Sequence, residues 1–384
     1  MKVKRLKINS FRGIGNLILE FDETDPTVLI GINGAGKSSI LDCLAVLLSH
    51  FVAEIQDSTG TGRFSNDPYI TEKQKITRRF FRQEDIANGA PKTHNEITIS
   101  LQQQDVSWFL SLSKIKERPK GADVRELEGI CFRIKSQLQD NPEFNLPLPV
   151  YYPVNREFCD DIPQKAPKQY WSKRVEVFDQ ALMGARISFN SFFEWFKELE
   201  DIENELRLDN SEHRDRQLEA VRQAIASLLP GFSNLRVRRS PLRMTVMKQN
   251  QELIIDQLSD GEKGLLAMIA DLARRLAIAN PSLTDPLQGR GVVLIDEIDL
   301  HLHPKWQCRI IGDLKRTFPN CQFIVTTHSP QVIAEVKCEN IYHLEVTSEG
   351  VIARHPNQSF GGDTNRIMED LMGVNTSSED VCKS

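Results

Sequence analysis

The sequence predicts an α/β fold with mixed and parallel sheets plus a short helical arm, and three observations carry that expectation. Short apolar runs alternate with helically spaced segments through the second half, as in a parallel sheet covered on both faces. The stretch Gly31-Ile32-Asn33-Gly34-Ala35-Gly36-Lys37-Ser38 fits G-x-x-x-x-G-K-[ST]. It stands between the apolar run Val28-Leu29-Ile30 and a helically spaced segment, the strand–loop–helix setting a P-loop needs. Residues 174–228 carry a helical pattern with little Gly or Pro, which supplies the arm.

In chain order, strands are expected at Val3–Ile8, Leu17–Phe21 and 28–30, followed by the loop and its helix. Residues 56–68 read as a loop by composition. Glu96–Leu101 alternates like a strand, and Pro147–Pro153 reads as a short buried strand closed by a Pro-Val-Asn-Arg turn. The arm carries Phe192, Phe193, Trp195, Phe196, Leu199, Ile202 and Leu206 at helical spacing, an aromatic cluster expected to be local core. Its break at Asp209-Asn210-Ser211 predicts a helical hairpin rather than a long coiled coil. From Glu194 to Arg222 ten acidic residues face five basic ones, so a strongly acidic, solvated face is expected. After Pro230-Gly231 come strands at Leu235–Arg239, Leu242–Met247 and Glu252–Asp256. Helix Lys263–Ala279, strand Gly291–Ile295, helix Lys305–Phe318 and strand Cys321–Thr326 follow. The expected division is 1–155 and 230–345 for the two parts of one nucleotide-binding domain, 156–229 for the inserted arm, and 346–384 for a polar tail. No internal repeat is present.

A chain of 384 residues with 40% hydrophobic and 26% charged residues reads as an ordinary globular protein. Its net charge of −5 gives no global nucleic-acid signature, so contact with DNA or RNA needs a local patch. The densest basic group is Arg236, Arg238, Arg239 and Arg243, with Arg78, Arg79 and Arg82 second. Seven cysteines (43, 131, 159, 308, 321, 338 and 382) form no C-x-x-C pair and read as free thiols in a reducing compartment. The N-terminus lacks a signal-peptide core, and no apolar run reaches the ~18 residues of a membrane span. A cytoplasmic protein with no membrane contact is the expectation.

The chemistry follows from four clusters. P-loop glycines let successive N–H groups point inward and make an anion nest at a helix N-terminus. Asn33, Gly34, Ala35, Gly36, Lys37, Ser38 and Ser39 are therefore the expected nucleotide-binding residues. Lys37 brings a point charge to the β- and γ-phosphates, and the Ser38 hydroxyl a magnesium ligand. Val292–Ile295 ends in Asp296 and Glu297, two carboxylates at a strand tip where open α/β sheets bind ligands. Asp296 is expected to hold Mg²⁺ and Glu297 to polarise the attacking water. Ser259-Asp260-Gly261-Glu262 stands 37 residues before Asp296 and opens a helix, a second anion site. His328, in Thr326-Thr327-His328-Ser329-Pro330, closes another apolar strand and is placed to sense a γ-phosphate. His301 and His303 alternate, but no Cys or His at usable spacing makes them a metal site.

As an ordered set these motifs resemble the ATP-binding-cassette (ABC) ATPases of the SMC, RecF and OLD-like group over about 1–110 and 230–345. The P-loop, the Leu258–Glu262 signature, Walker B at 292–297, Asp299 and the switch histidine His328 all fall in that order. Ile8–Ile14 resembles the group's first strand and turn, which implies that Arg12 lies by the nucleotide. Asp260 and Glu262 replace the Gly and Gln of transporters, which argues against transport. The magnesium-contacting glutamine is assigned to Gln83, with Gln102 to Gln104 as competitors. Asp296–Pro304, Tyr151–Arg156 and Phe360–Ile367 are similar to compact antiphage ATPases, the PtuA type of Septu systems and their retron-associated relatives. Those relatives often continue further, so the ending at Ser384 reads as a short variant or a truncated form, with C-terminal partner docking in question.

The resemblance implies an ABC-ATPase-like fold, ATP and Mg²⁺ as ligands, and a homodimer or higher oligomer sandwiching ATP. The signature residues Ser259, Asp260, Gly261 and Glu262 then act in trans on the partner copy. It further implies an HNH-type nuclease partner gated by ATP state, the chain having no nuclease motif of its own. Two alternatives remain at this level: a RecF- or SMC-like ATPase in DNA repair or DNA-end binding, and a nucleotide-dependent scaffold with little turnover.

Overall fold

The N-terminal strands owe their pairing to alternation of apolar and polar side chains, which buries one face of each strand. The computed structural model describes residues 1–57, 78–114, 120–154, 158–159, 174–184, 187–348 and 350–356. Strands β1 (Lys2–Phe11) and β2 (Ile14–Glu20) pair antiparallel, with Ile8 opposite Leu17, and β3 (Thr27–Ile30) leads to the P-loop and helix α1 (Lys37–Gln56). Next come β4 (Lys92–Leu101), β5 (Gln104–Ser113), β6 (Lys120–Asp123), helix α2 (Arg125–Asp140) and β7 (Leu148–Tyr152). A two-residue parallel pair, 158–159 with 187–188, precedes the arm helices α3 (Phe189–Asp209) and α4 (Arg216–Leu228). A meander of β8 (Phe232–Arg239), β9 (Leu242–Lys248) and β10 (Gln251–Ile254) leads to α5 (Asp260–Ala279). The chain closes through β11 (Gly291–Ile295), α6 (Pro304–Gln307), α7 (Ile310–Thr317), β12 (Cys321–Thr326), α8 (Pro330–Ala334), β13 (Ile341–Thr347) and β14 (Gly350–Arg354).

Among the described residues there are two large sheets. One is antiparallel, in the order β2-β1-β4-β5-β6; the other has the order β14-β13-β3-β12-β11-β7, in which β13, β3, β12, β11 and β7 run parallel. Its central strands β3, β11 and β12 are buried along their whole length, as a sheet covered on both faces requires. Helix α1 lies in the core: Trp108 of β5 donates its indole N–H to the Leu47 carbonyl at 3.1 Å, and Phe51 meets Phe178 edge to face. With 20 residues and mean hydropathy 1.6, α1 is long and apolar enough to cross a membrane, yet 83% of its apolar window is buried inside the fold. It is a core helix.

The expected mixture of sheets and helices is present, and two local expectations change. Helix 305–318 is two helices. Gln307 turns its amide onto the Asp299 and Leu302 carbonyls, holding α6 to the loop after β11, while α7 buries Ile310, Ile311 and Leu314. The arm's acidic face is partly internal: Glu200 and Glu203 are buried, pairing with Arg239 and Arg222. Strand β5 and helix α2 were not legible in advance. The hairpin break is where the sequence put it, with Asp215 capping α4 through the Gln217 and Leu218 amides at 2.9 and 3.0 Å. Phe192, Trp195 and Phe196 are buried as local core. The loop residues from 58 onward, Asn155, Arg156 and the motif Phe360–Ile367 lie outside the described residues.

Candidate nucleotide site

Because β3, β12, β11 and β7 are neighbours and parallel, their carboxyl ends form one edge. The P-loop leaves that edge after β3, Asp296 and Glu297 after β11, and His328 after β12. Residues 31–36 can make the turn because Gly31, Gly34 and Gly36 hold φ of +144°, +83° and +95°, where L side chains are strained. Gly31 has a second constraint: a methyl there would stand 2.5 Å from the Leu344 carbonyl oxygen.

The Lys37 ammonium reaches back to the Gly31 and Ile32 carbonyls at 2.8 and 3.1 Å. It is buried and, among the described residues, has no carboxylate within ion-pair distance, so the site presents a cation without an anion. Burial holds it below the ordinary lysine value, opposed by the nearby charges of Asp296, Glu297 and Asp299. The Ser38 hydroxyl at the loop's end is on an exposed residue and Ser39 is half-buried, as are the Glu297 and His328 residues.

Two threonines organise the carboxylates. Thr326 Oγ1 donates to Asp296 Oδ1 at 2.6 Å and accepts the Glu297 N–H at 2.7 Å. Glu297 sits at φ +45°, so this bond helps hold a backbone conformation a glutamate rarely adopts. Thr327 Oγ1 donates to Asp299 Oδ1 at 2.5 Å, and the His328 N–H donates to the same oxygen at 3.2 Å. Asp299 thereby ties the loop after β11 to the histidine after β12. The Asp296 N–H donates to the Tyr152 carbonyl at 2.9 Å, so the strand end beside the carboxylates is that of β7.

The signature residues open α5. Ser259 is its N-cap, and the Ser259 N–H donates to the Glu262 carboxylate at 3.1 Å. Glu262 also pairs with Lys248 at 2.6 Å; burial pushes its carboxyl up, and Lys248 with the Ser259 amide pulls it below the ordinary value. Gly261 packs so closely on the loop after Asp299 that a methyl would lie 2.0 Å from the His301 carbonyl oxygen. Asp260, Gly261, His301 and Val154 line one small recess on the β7 side. Neighbouring strands are ~4.8 Å apart, so three spacings from β3 to β7 put this recess on the order of 14 Å from the P-loop strand.

Arg12 and Gln83 are engaged elsewhere. The Arg12 guanidinium bridges Asp85 at 2.9 Å and Asp42 of α1 at 2.8 Å. Gln83 is exposed, and its amide reaches the Ser113 carbonyl of β5 at 3.4 Å. His303 accepts the Lys305 N–H at 3.2 Å as the cap of α6. Sequence reasoning quoted Thr326, Thr327 and Tyr152 within motifs but gave them no role of their own. The available signal was polar residues at the tips of otherwise apolar strands.

The residues present fit a nucleoside triphosphate with its cation: a glycine-turned loop at a helix N-terminus, a buried lysine without a counter-ion, and a strand-tip aspartate beside a serine hydroxyl. Against known proteins, an AAA-domain family model matches residues 5–233, and a second, described as "AAA domain, putative AbiEii toxin, Type IV TA system", matches 159–334. The chain is 31% identical to the Retron Ec83 probable ATPase of Escherichia coli, over 97% of this chain and 76% of that protein. It is 32% identical to the Retron Vc95 probable ATPase of Vibrio cholerae, over 89% and 73%. The Septu protein PtuA of Bacillus thuringiensis is 23% identical over 97% and 84%. In fold, the SMC head solved with the C-winged helix domain of ScpA superposes with a TM-score of 0.50 at 16% identity, over 92% of this chain and 98% of that one. With its P-loop, signature and Walker B in order on this fold, the chain belongs to the family of retron ATPases and Septu PtuA proteins, ABC-type P-loop ATPases.

Proposed function

We infer that this ATPase hydrolyses ATP between two copies of itself, and that its nucleotide state gates an HNH-type nuclease partner in antiphage defence. The observation that carries the reading is the separation within one copy: the P-loop follows β3, whereas the signature packs on His301 at the β7 side. A signature that far from its own P-loop serves catalysis by covering the triphosphate of a second copy. The defence role rests on similarity to proteins named as retron ATPases and Septu PtuA.

In this reading Asn33 to Gly36 and Ser39 cradle the phosphates, and Lys37 exchanges its loop carbonyls for β- and γ-oxygens. Ser38 and Asp296 would hold Mg²⁺, which when bound neutralises charge across the β- and γ-phosphoryl oxygens. Glu297 takes the proton of the attacking water as the γ-phosphorus–oxygen bond breaks, leaving ADP and phosphate. His328, steadied by Asp299, senses the γ-phosphoryl group. Ser259 and the amides at the start of α5 complete the site from the partner copy. Arg12 acts through Asp42 on the early turns of α1.

The test compares wild type with Glu297→Gln for ATP turnover and for ATP-dependent dimerisation. Turnover is expected to fall at least about 100-fold, with dimers accumulating in ATP. Equal turnover in the variant refutes the role of Glu297. Co-purification of a nuclease that cleaves only in one nucleotide state tests the gating.

A second reading, direct contact with DNA or RNA, is favoured by one groove of about 660 Å³ between the arm and β8. Arg238 is taken by Glu252, and Arg239 by Asp201 and Glu200, but among the described residues Arg207, Arg214 and Arg236 face the groove without a carboxylate in ion-pair distance, beside Glu203 and Glu219 of the same lining. Affinity for single-stranded DNA that falls with salt, and falls again when these three are neutralised, supports that reading.

A further inference from the structure

A buried charged cluster lies between the arm, the signature helix and the Walker B strand, and the reaction as described above makes no use of it. At its centre is Asp271 of α5, 2% exposed. Its carboxylate accepts from the Tyr152 hydroxyl at 3.0 Å, from Arg275 Nε at 2.7 Å and from Arg274 at 3.1 Å. One carboxylate thus bonds two largely buried guanidinium groups, with Asp179 as the further carboxylate acting on Arg275. Arg275 Nη1 donates to the Val177 and Asp179 carbonyls of the turn that precedes helix α3. Arg274 has no such outlet: its buried Nε lacks a partner, and its guanidinium stands 5.9 Å from the ring centroid of Trp195 on arm helix α3. A cation on an aromatic face is the compensation left to it.

Tyr152 gives this cluster its reach. Its side chain is held by the signature helix, and its carbonyl holds the Asp296 N–H at 2.9 Å. Tyr152 also pairs in register with Ile295, the residue before the Walker B carboxylates. The path from arm to site is therefore short and wholly in contact: Trp195, Arg274, Asp271, Tyr152, Asp296. Lost charge balance at one end must be met by movement of the others, because packed charged networks have no water to screen them.

We propose that Asp271 is a positioning residue for ATP hydrolysis: it clamps the signature helix to the end of β7 and so sets Asp296 and Glu297, with Trp195 of the arm tuning the clamp through Arg274. This rests on the reading of Asp296 and Glu297 as the hydrolytic carboxylates. The site's chemistry then depends on where the arm sits, which gives a partner bound to the arm a route to the reaction.

Asp271→Asn leaves two uncompensated guanidinium groups in the core and is expected to unfold much of the protein, so the decisive variants are Tyr152→Phe and Trp195→Leu. Each is measured in the intact protein for kcat, for ATP affinity and for hydrogen exchange across 292–298, against Glu297→Gln as a control. Loss of a hydrogen bond to a buried carboxylate is expected to lower kcat about tenfold in Tyr152→Phe. ATP affinity should stay within about twofold because the P-loop stands on a different strand. Exchange at the Asp296 amide should rise by a similar factor, a readout that needs no turnover. Trp195→Leu should act in the same direction, and the double variant should lose less than the product of the two, since both act through one network. Unchanged exchange with kcat within twofold of wild type in Tyr152→Phe overturns the clamp, as does a double variant whose losses multiply. Glu297→Gln separates the two levels. If it alone abolishes turnover, the site stands and the clamp falls; if it turns over normally while exchange rises in Tyr152→Phe, the linkage stands and the hydrolytic role falls.

Discussion

Replacement of Gly261 by alanine tests the signature's dependence on its own chain. The added methyl would lie 2.0 Å from the His301 carbonyl oxygen, against 3.4 Å for ordinary van der Waals contact. The 1.4 Å shortfall is between backbone-anchored atoms, so no side-chain rotation relieves it. His301 already sits at φ +59°, a conformation with little freedom to retreat. Overpacking of this kind costs about 3 kcal/mol, the upper part of the usual range. At about 1–2 °C per kcal/mol for a chain of 384 residues, the midpoint of thermal unfolding should fall about 3–6 °C. Either the first turn of α5 or the loop after Asp299 must shift, so ATP-driven pairing and turnover should fall by at least about tenfold. Binding of ATP to a single copy should persist, because the P-loop is built on β3. The assay pairs thermal unfolding with turnover and with sedimentation in ATP, and uses Gly312→Ala as control. That glycine is exposed in α7 with nothing within 4 Å of an added methyl, so alanine there should stabilise by about 0.5–1 kcal/mol. A Gly261→Ala protein that pairs, turns over and melts like wild type would refute the contact and the argument built on it.

Three further outcomes follow from the geometry. Thr326→Val removes the donor to Asp296 and leaves the Glu297 N–H without its acceptor, so kcat should fall about 10–100-fold with a smaller change in ATP affinity, read by steady-state kinetics. Lys37→Ala should weaken ATP binding by at least about 100-fold while leaving the fold intact, measured by calorimetry, since its ammonium is bonded to the Gly31 and Ile32 carbonyls of its own loop. His50 is buried beside the Arg79 carbonyl and burial drives its value down to about 3. Because the unfolded chain protonates this histidine near pH 6.5 and the folded one does not, stability is full above that pH. It should be lost at up to about 1.4 kcal/mol per pH unit as pH falls toward 3, and His50→Gln should flatten that slope in melts between pH 7 and 5.

How far the sequence reached is clear at particular residues. The P-loop was legible because its chemistry is local: three glycines at left-handed φ and a lysine that opens a helix need nothing distant. The strand-tip pair Asp296-Glu297 was legible because two carboxylates after a buried apolar run have one tolerable place. The surroundings of Gln83 were not legible for the converse reason. A glutamine in a short turn carries no periodic signal, and only pairing of the sheets shows its amide on Ser113. Arg12 stands at the expected turn, yet its guanidinium goes to Asp42 and Asp85, partners 30 and 73 residues away in sequence.

The sequence by itself determined the α/β class, the order of the nucleotide motifs and the hairpin of the arm, since each depends on periodicity or on spacing along the chain. Tertiary structure alone decided that β7 lies beside β11, that Thr326 serves both carboxylates, and that Glu200, Glu203 and Asp271 are internal. Those outcomes turn on which distant segments meet and on whether a buried charge finds its partner, and neither is encoded in any local pattern.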